Sequence, residues 1–349
     1  MTTARSFSAA LTRALRRAAR EHHEPDLLSV CVDPHHDDGG DGTYHCAWQD
    51  AVEFAMRNNK ARVYGIELEV PYSCNGRRSV DWRGLHALRA LRTSDGSLRC
   101  DDIEFNFPPL TAAAIKRGRI IDRTLEALNR ATHEPHDYQY NTYGIHIHSN
   151  IQWMKPKTPY IVSHLVRDND RFFKWVAGRV GYSSYGSATD HFTGKYATCL
   201  QPCRHTLEWR IFRSTYNQRL VNVWLDLIRA VEDWAELPIT QDAYGVTGTG
   251  GATEIVRTPV DPLARFFSFV SANRRKYGTV SRIIDAYDKS KNYTVYLIER
   301  DLDDDYDDGE DADSTYVLTN SLEDHLHTVY PERRPRPARG GTNAVPAAA

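Results

Sequence analysis

Long apolar runs are what this sequence most plainly lacks. None reaches the roughly 20 residues that a bilayer-spanning helix needs, so no membrane is expected among the partners. The first residues hold no apolar core of a secretory signal either, because Arg13, Arg16, Arg17 and Arg20 interrupt them. Phe7, Ala10, Leu11, Ala14, Leu15 and Ala18 share one helical face, expected to dock on the protein surface. The six cysteines, Cys31, Cys46, Cys74, Cys100, Cys199 and Cys203, are scattered with no CxxC pair. Reduced thiols in a cytoplasmic protein are the expectation.

A charge imbalance is missing too. The formal net charge is -2, which gives no global electrostatic argument for nucleic acid as a partner. Trp48, Trp82, Trp153, Trp175 and Trp224 are spread as core residues would be, with no basic stripe between them. Nucleic acid stays open only as a substrate carrying an amine or a carboxylate. A Walker-type phosphate loop is absent: Gly245-Val246-Thr247-Gly248-Thr249-Gly250-Gly251 has no GK[ST] ending and reads as a flexible loop.

What is present is a globular composition. The 349 residues are 41% hydrophobic and 26% charged, enough for one large domain or two ordinary ones. Residues 1–61 hold the N-terminal helix and a His/Asp/Gly-rich loop; residues 62–300 show ordered periodicity. Residues 301–349 are an acidic segment and a tail of Pro, Arg, Gly and Ala, expected to be disordered. In the middle region strands are expected at 64–70, 103–107, 143–150 and 206–212. Between them, helical spacing links Trp82, Leu85, Leu88 and Leu91, then Ile115, Ile121, Leu125 and Leu128 after a Thr111 cap. A helix over 161–180 and one carrying Val221, Trp224, Leu225, Ile228 and Val231 follow, the latter ended near Pro238. Residues 255–300 read as helical and then extended.

Successive side chains of a strand point to opposite faces. In the first strand Tyr64, Ile66, Leu68 and Val70 oppose Gly65, Glu67 and Glu69; in the second, Ile103, Phe105 and Phe107 oppose Glu104 and Asn106. In the third, Ile145 and Ile147 oppose Gly144, His146 and His148; in the fourth, Leu207, Trp209 and Ile211 oppose Thr206, Glu208 and Arg210. Any one such strand is explained by a half-exposed antiparallel sheet. A merely solvated face, however, mixes Lys, Thr, Ser and Gln, whereas these four faces hold mainly acids, His and one Arg. In one sheet they make a wall of cation ligands. Carboxylates with imidazole suit a hard cation such as Mg²⁺ or Mn²⁺, and an Arg beside such metals suggests phosphate chemistry.

The motif order resembles a known family. Gly65-Ile66-Glu67-Leu68-Glu69, then Asp95-Gly96-Ser97-Leu98, then Ile103-Glu104-Phe105 with Pro108-Pro109 looks like the opening of the amidoligases. Gly144-Ile145-His146-Ile147-His148 is similar to their His-x-His strand, and Leu207-Glu208-Trp209-Arg210-Ile211-Phe212 with Ser214-Thr215 resembles their closing strand. The resemblance covers about residues 62–235. It implies an α+β fold like that of glutamine synthetase and glutamate–cysteine ligase: a mainly antiparallel catalytic sheet with one metal- and ATP-binding face and helices on the other.

The resemblance also implies roles. Glu67, Glu69, Glu104, His146 and Glu208 would be metal ligands, and His148 would lie near the nucleotide phosphates. Arg210 would contact the transferred phosphate, while Arg204 and Arg213 would hold substrate carboxylate or phosphate. The implied activity is an ATP- and Mg²⁺-dependent (or Mn²⁺-dependent) ligase. It joins a carboxylate substrate to an amine substrate, a small molecule or a peptide or protein side chain, through an acyl phosphate. Two other readings stand beside it: a metal-dependent hydrolase without ATP, and a non-catalytic protein retaining the ligase fold. Oligomeric state is not indicated.

Overall fold

The computed structural model describes residues 62–70, 91–93, 103–118, 121, 125, 144–178, 200–202, 206–249, 252–289, 295–298, 315–318 and 322–331. The N-terminal helix, the His/Asp/Gly-rich loop, Trp82, Leu85, Leu88, Leu128, the acidic run 301–313 and the tail after Pro331 lie outside them.

The alternation read from the sequence closes into one sheet. Its strands are β1 (Tyr64–Val70), β2 (Leu91–Thr93), β3 (Ile103–Leu110), β4 (Gly144–Asn150), β5 (Leu200–Pro202) and β6 (Thr206–Arg213). They pair antiparallel throughout, in the order β2-β3-β1-β4-β6-β5. Leu91, expected in a helix, begins β2 instead and pairs with Asn106. A three-residue edge strand is too short for its period of two to register.

Two bulges shape the sheet. Tyr64 faces Leu110 and Ile66 faces Phe107, so Pro108 and Pro109 together oppose Gly65. Prolines cannot donate to a ladder and are tolerated where a bulge interrupts it. The second bulge lies in β6. Ile147 faces Trp209 and Ile145 faces Phe212, so His146 is opposed by Arg210 and Ile211 together.

Helices cover the apolar face. α1 (Ala112–Gly118) starts as expected from Thr111, whose Oγ1 accepts from Ala114 N at 3.2 Å. The helix expected over 161–180 is two: α2 (Thr158–Asp168) and α3 (Asp170–Ala177), broken at Asn169, whose side-chain amide donates to Leu165 O at 2.8 Å. α3 ends at Gly178, which takes the left-handed conformation (φ 68°) of a helix C-terminal stop. α4 (Gln218–Ala235) is capped by the Asn217 side chain and is the core helix; Leu220, Trp224, Leu227, Ile228 and Val231 are fully buried. Trp224 stacks on Phe212 at 4.7 Å between centroids, and its Nε1 donates to Val176 O at 2.9 Å, joining α4 to both β6 and α3.

Short α5 (Pro238–Ala243) follows, then a hairpin of β7 (Gly245–Thr249) and β8 (Ala252–Arg257). Gly245–Thr249, expected to lie in a flexible loop, is thus a paired strand; Gly250 and Gly251 lie outside the described residues. α6 (Pro262–Ala272) and α7 (Gly278–Lys289) pack on α4, and β9 (Val295–Ile298) pairs with β10 (Thr315–Leu318). Packing continues past residue 300, because α8 (Leu326–Val329) lies on α7 and Arg282 Nε donates to Val329 O at 2.7 Å. No helix of the described residues is long and apolar enough to cross a membrane.

Candidate metal centre on the sheet face

The acid and histidine side chains of β1, β4 and β6 meet because register puts them side by side. Glu67 lies opposite His146, Gly65 opposite His148, and His148 opposite Glu208. A Cβ at Gly65 would sit 3.7 Å from His148 Cβ, an ordinary contact, so this pairing does not itself require glycine. Glu69 lies opposite Glu104 on the other side.

His148 Nε2 is 3.0 Å from Glu67 Oε1 and 3.9 Å from Glu208 Oε1. His146 Nδ1 is 3.2 Å from Glu67 Oε2 and 3.6 Å from Glu208 Oε1, and its Nε2 is 3.8 Å from Glu69 Oε1. Arg210 Nη1 donates to Glu208 Oε1 at 2.6 Å. Glu67 is the most open of the three acids, with 27% of its side chain exposed against 6% for Glu208.

The peripheral carboxylates are tied down. Glu69 Oε2 accepts from Gly144 N at 2.6 Å, and Glu104 Oε1 accepts from Asn106 Nδ2 at 2.7 Å. Ser214 Oγ donates to Glu69 O at 2.6 Å and holds the end of β1.

These charges perturb one another. Burial alone would raise the Glu67 carboxyl, but His148 and His146 beside it hold it well below the usual carboxylate range. Burial alone would lower His148; Glu67 and Glu208 outweigh it and push the ring up to about 9. His146 is raised by Glu69 and Glu67 against the same burial. The cluster therefore wants positive charge, and protons supply it when nothing else does.

Glu67, His148 and Glu208 each offer one ligand atom, and the three atoms lie within 4.8 Å of one another. His148 Nε2 is buried yet has no hydrogen-bond partner, although a Glu67 oxygen is 3.0 Å away. The contact is close but not aligned for N–H donation. Two carboxylates and a nitrogen with that placement fit a hard divalent cation whose remaining positions are filled by water or substrate.

The structure brings together Glu67, Glu69, His146, His148, Glu208 and Arg210. Glu104 joins the same face through its pairing with Glu69. The resemblance gave the metal to His146 and the phosphates to His148; here the converging group contains His148, and His146 hydrogen-bonds Glu67. Arg213 pairs with Glu323, its stem against Gly178 at the end of α3. Arg204 and Asp95 lie outside the described residues. Sequence reasoning assigned no role to Gly144, Asn106 or Ser214. Gly144 acts through a backbone N–H, which no residue type reveals; Asn106 was visible on the acid face.

Neither the protein-family models nor the curated proteins compared with this chain give a match. The resemblance to amidoligases therefore rests on the ordered motifs of the sequence alone.

Proposed function

We propose that the chain is an ATP- and Mg²⁺- or Mn²⁺-dependent carboxylate–amine ligase on a glutamine synthetase-like sheet, acting in the cytoplasm. One observation carries the reading: Glu67, His148 and Glu208 converge on one sheet face with Arg210 bound to Glu208. Glu67, His148 and Glu208 would hold the cation. Bound there, it would neutralise phosphate oxygens and align attacking and leaving groups. Arg210 would stabilise charge on the transferred phosphoryl group. Its contact with Glu208 at 2.6 Å supports that role, since it would hold the guanidinium beside a cation bound to Glu208. Direct amide formation between ionised partners is uphill in water. A carboxylate substrate would first take the γ-phosphoryl group and become an acyl phosphate, which an amine then attacks with release of phosphate.

The test is a thermal-shift titration of the full chain with ATP, run with Mg²⁺, with Mn²⁺ and with EDTA. A ligand that binds only the native state raises the melting temperature. A rise that needs ATP and metal together, and that Glu67→Gln abolishes, is expected. A rise with metal alone would move the assignment to a hydrolase that uses no nucleotide, and no rise under any condition would overturn both.

A further inference from the structure

The two ring nitrogens of His148 are placed differently. Nδ1 is 3.1 Å from Thr206 Oγ1, whereas Nε2 faces Glu67 and Glu208 with no hydrogen bond of its own. A neutral imidazole carries one N–H and one lone pair, and the partner of one nitrogen decides what the other presents. Thr206 lies at Nδ1 and the two carboxylates at Nε2, so a cation held by them would displace any proton from Nε2 and leave the one on Nδ1. A proton on Nδ1 given to Thr206 Oγ1 leaves the Nε2 lone pair pointing into the cluster.

The backbone makes this arrangement. Thr206 and Glu208 share the site face of β6, two residues apart, and Glu208 lies directly opposite His148. Thr206 is therefore the diagonal neighbour of His148, at a distance side chains span across adjacent strands. Its own partner in the ladder is Asn150, whose Oδ1 accepts from Val63 N at 3.0 Å. That bond pins the shared end of β4 and β6 to the start of β1. His146 is held otherwise: Nδ1 meets Glu67 at 3.2 Å, and Nε2 faces Glu69, itself anchored on Gly144 N.

We propose that Thr206 is a positioning residue for the metal centre: its hydroxyl accepts from His148 Nδ1–H, fixes the tautomer, and delivers Nε2 as the nitrogen ligand beside Glu67 and Glu208. This rests on the metal-dependent reading above. Loss of such an outer partner typically weakens metal binding about 10- to 100-fold.

Calorimetric titration of Mn²⁺ into the full-length protein, with Thr206→Val and Thr206→Ser beside wild type, tests it. Val keeps the branched shape and loses the acceptor; Ser keeps the acceptor. Thr206→Val is expected to weaken Mn²⁺ binding by about 10- to 100-fold, with Thr206→Ser near wild type. Histidine ¹⁵N spectra of the Mg²⁺-loaded wild type should show His148 protonated at Nδ1 and not at Nε2, a signature that a merely structural threonine does not set. Wild type that binds Mn²⁺ while Thr206→Val binds equally well would overturn the positioning role and leave the metal centre standing. Nε2–H in the loaded wild type would overturn it without any variant. Wild type that binds no divalent cation would remove the metal-dependent reading, and this role with it.

Discussion

At the scale of single residues, the candidate metal centre and its surroundings separate binding from folding. Glu67 is partly open and faces two imidazoles, so Glu67→Gln is expected to lose ATP turnover by at least on the order of 100-fold while the melting temperature hardly moves. Glu208 differs, because it also satisfies the buried Arg210 at 2.6 Å. In Glu208→Gln the amide oxygen still accepts from Arg210 but carries no charge. Turnover should fall similarly, with a stability loss on the order of 1–3 kcal/mol read from urea unfolding. Unchanged turnover in both variants would end the ligase assignment. Behind the sheet, Glu232 on α4 is fully buried, accepts from Tyr64 Oη at 3.2 Å and lies 3.6 Å from Arg62 Nε. Burial raises its carboxyl to about 7, against the opposing pull of Arg62. The folded state then holds a proton that the unfolded chain releases from about pH 4.5 upward, so this residue's contribution to stability is lost as pH rises toward about 7. The loss amounts to about 3 kcal/mol. Unfolding curves between pH 5 and pH 8 should show that slope in wild type and lack it in Glu232→Gln; parallel curves would show that Glu232 is ionised throughout.

At the scale of elements, what the sequence disclosed depended on repetition. β1, β3 and β4 announce themselves because several residues in a row alternate, and α4 because its apolar residues recur over five turns. The site residues were legible for the same reason, since Glu67, His146, His148, Glu208 and Arg210 occupy the polar phase of those strands. Features set by one residue or by a partner strand left no such trace. β2 has three residues, β7 is glycine-rich, and the break at Asn169 is a single backbone angle. Alternation carried from Trp209 puts Ile211 inside and leaves Phe212 out, but the bulge lets Phe212 stack on Trp224. Gly178 belongs to the same class. A Cβ there would meet Arg213 Nε at 2.7 Å and Cδ at 2.8 Å, on a backbone already at φ 68°. Gly178→Ala should cost about 1–2 kcal/mol from the left-handed backbone alone. It should also displace Arg213 from Glu323. An unchanged urea midpoint would mean that α3 can end another way.

At the scale of the whole molecule, the described residues share one core that reaches from Val63 to Val329. Asp233 shows how the layers are tied: it accepts from Arg62 at 2.7 Å, from Lys276 at 2.9 Å and from Tyr277 at 2.6 Å, while Arg62 lies over the Trp153 ring at 3.6 Å. One carboxylate thus joins the entry to β1 with the corner between α6 and α7. Leu322, Leu326 and Val329 enter the same core from far along the chain. A chain ended at Asn320 loses their burial, worth on the order of 4 kcal/mol or more, together with the Arg282 and Arg213 contacts. Its melting temperature should drop clearly while Mn²⁺ binding is retained once folded. That long-range docking was hidden in the sequence because eight residues carry too short a pattern beside an acidic run.

The bulge at Arg210 and Ile211 has a further consequence, best put as a reading frame. β6 is written in two phases, one that serves the acids and one, starting at Phe212, that serves the core. Deleting Arg210 would leave a strand that zips regularly against β4 and yet is misread: Trp209 still meets Ile147 and Phe212 still meets Ile145, but Ile211 inherits the place opposite His146. That deletion would thus keep the ladder of core partners and strike the candidate metal centre, whereas deleting Ile211, itself a core residue, would cost the core and leave the acids in place.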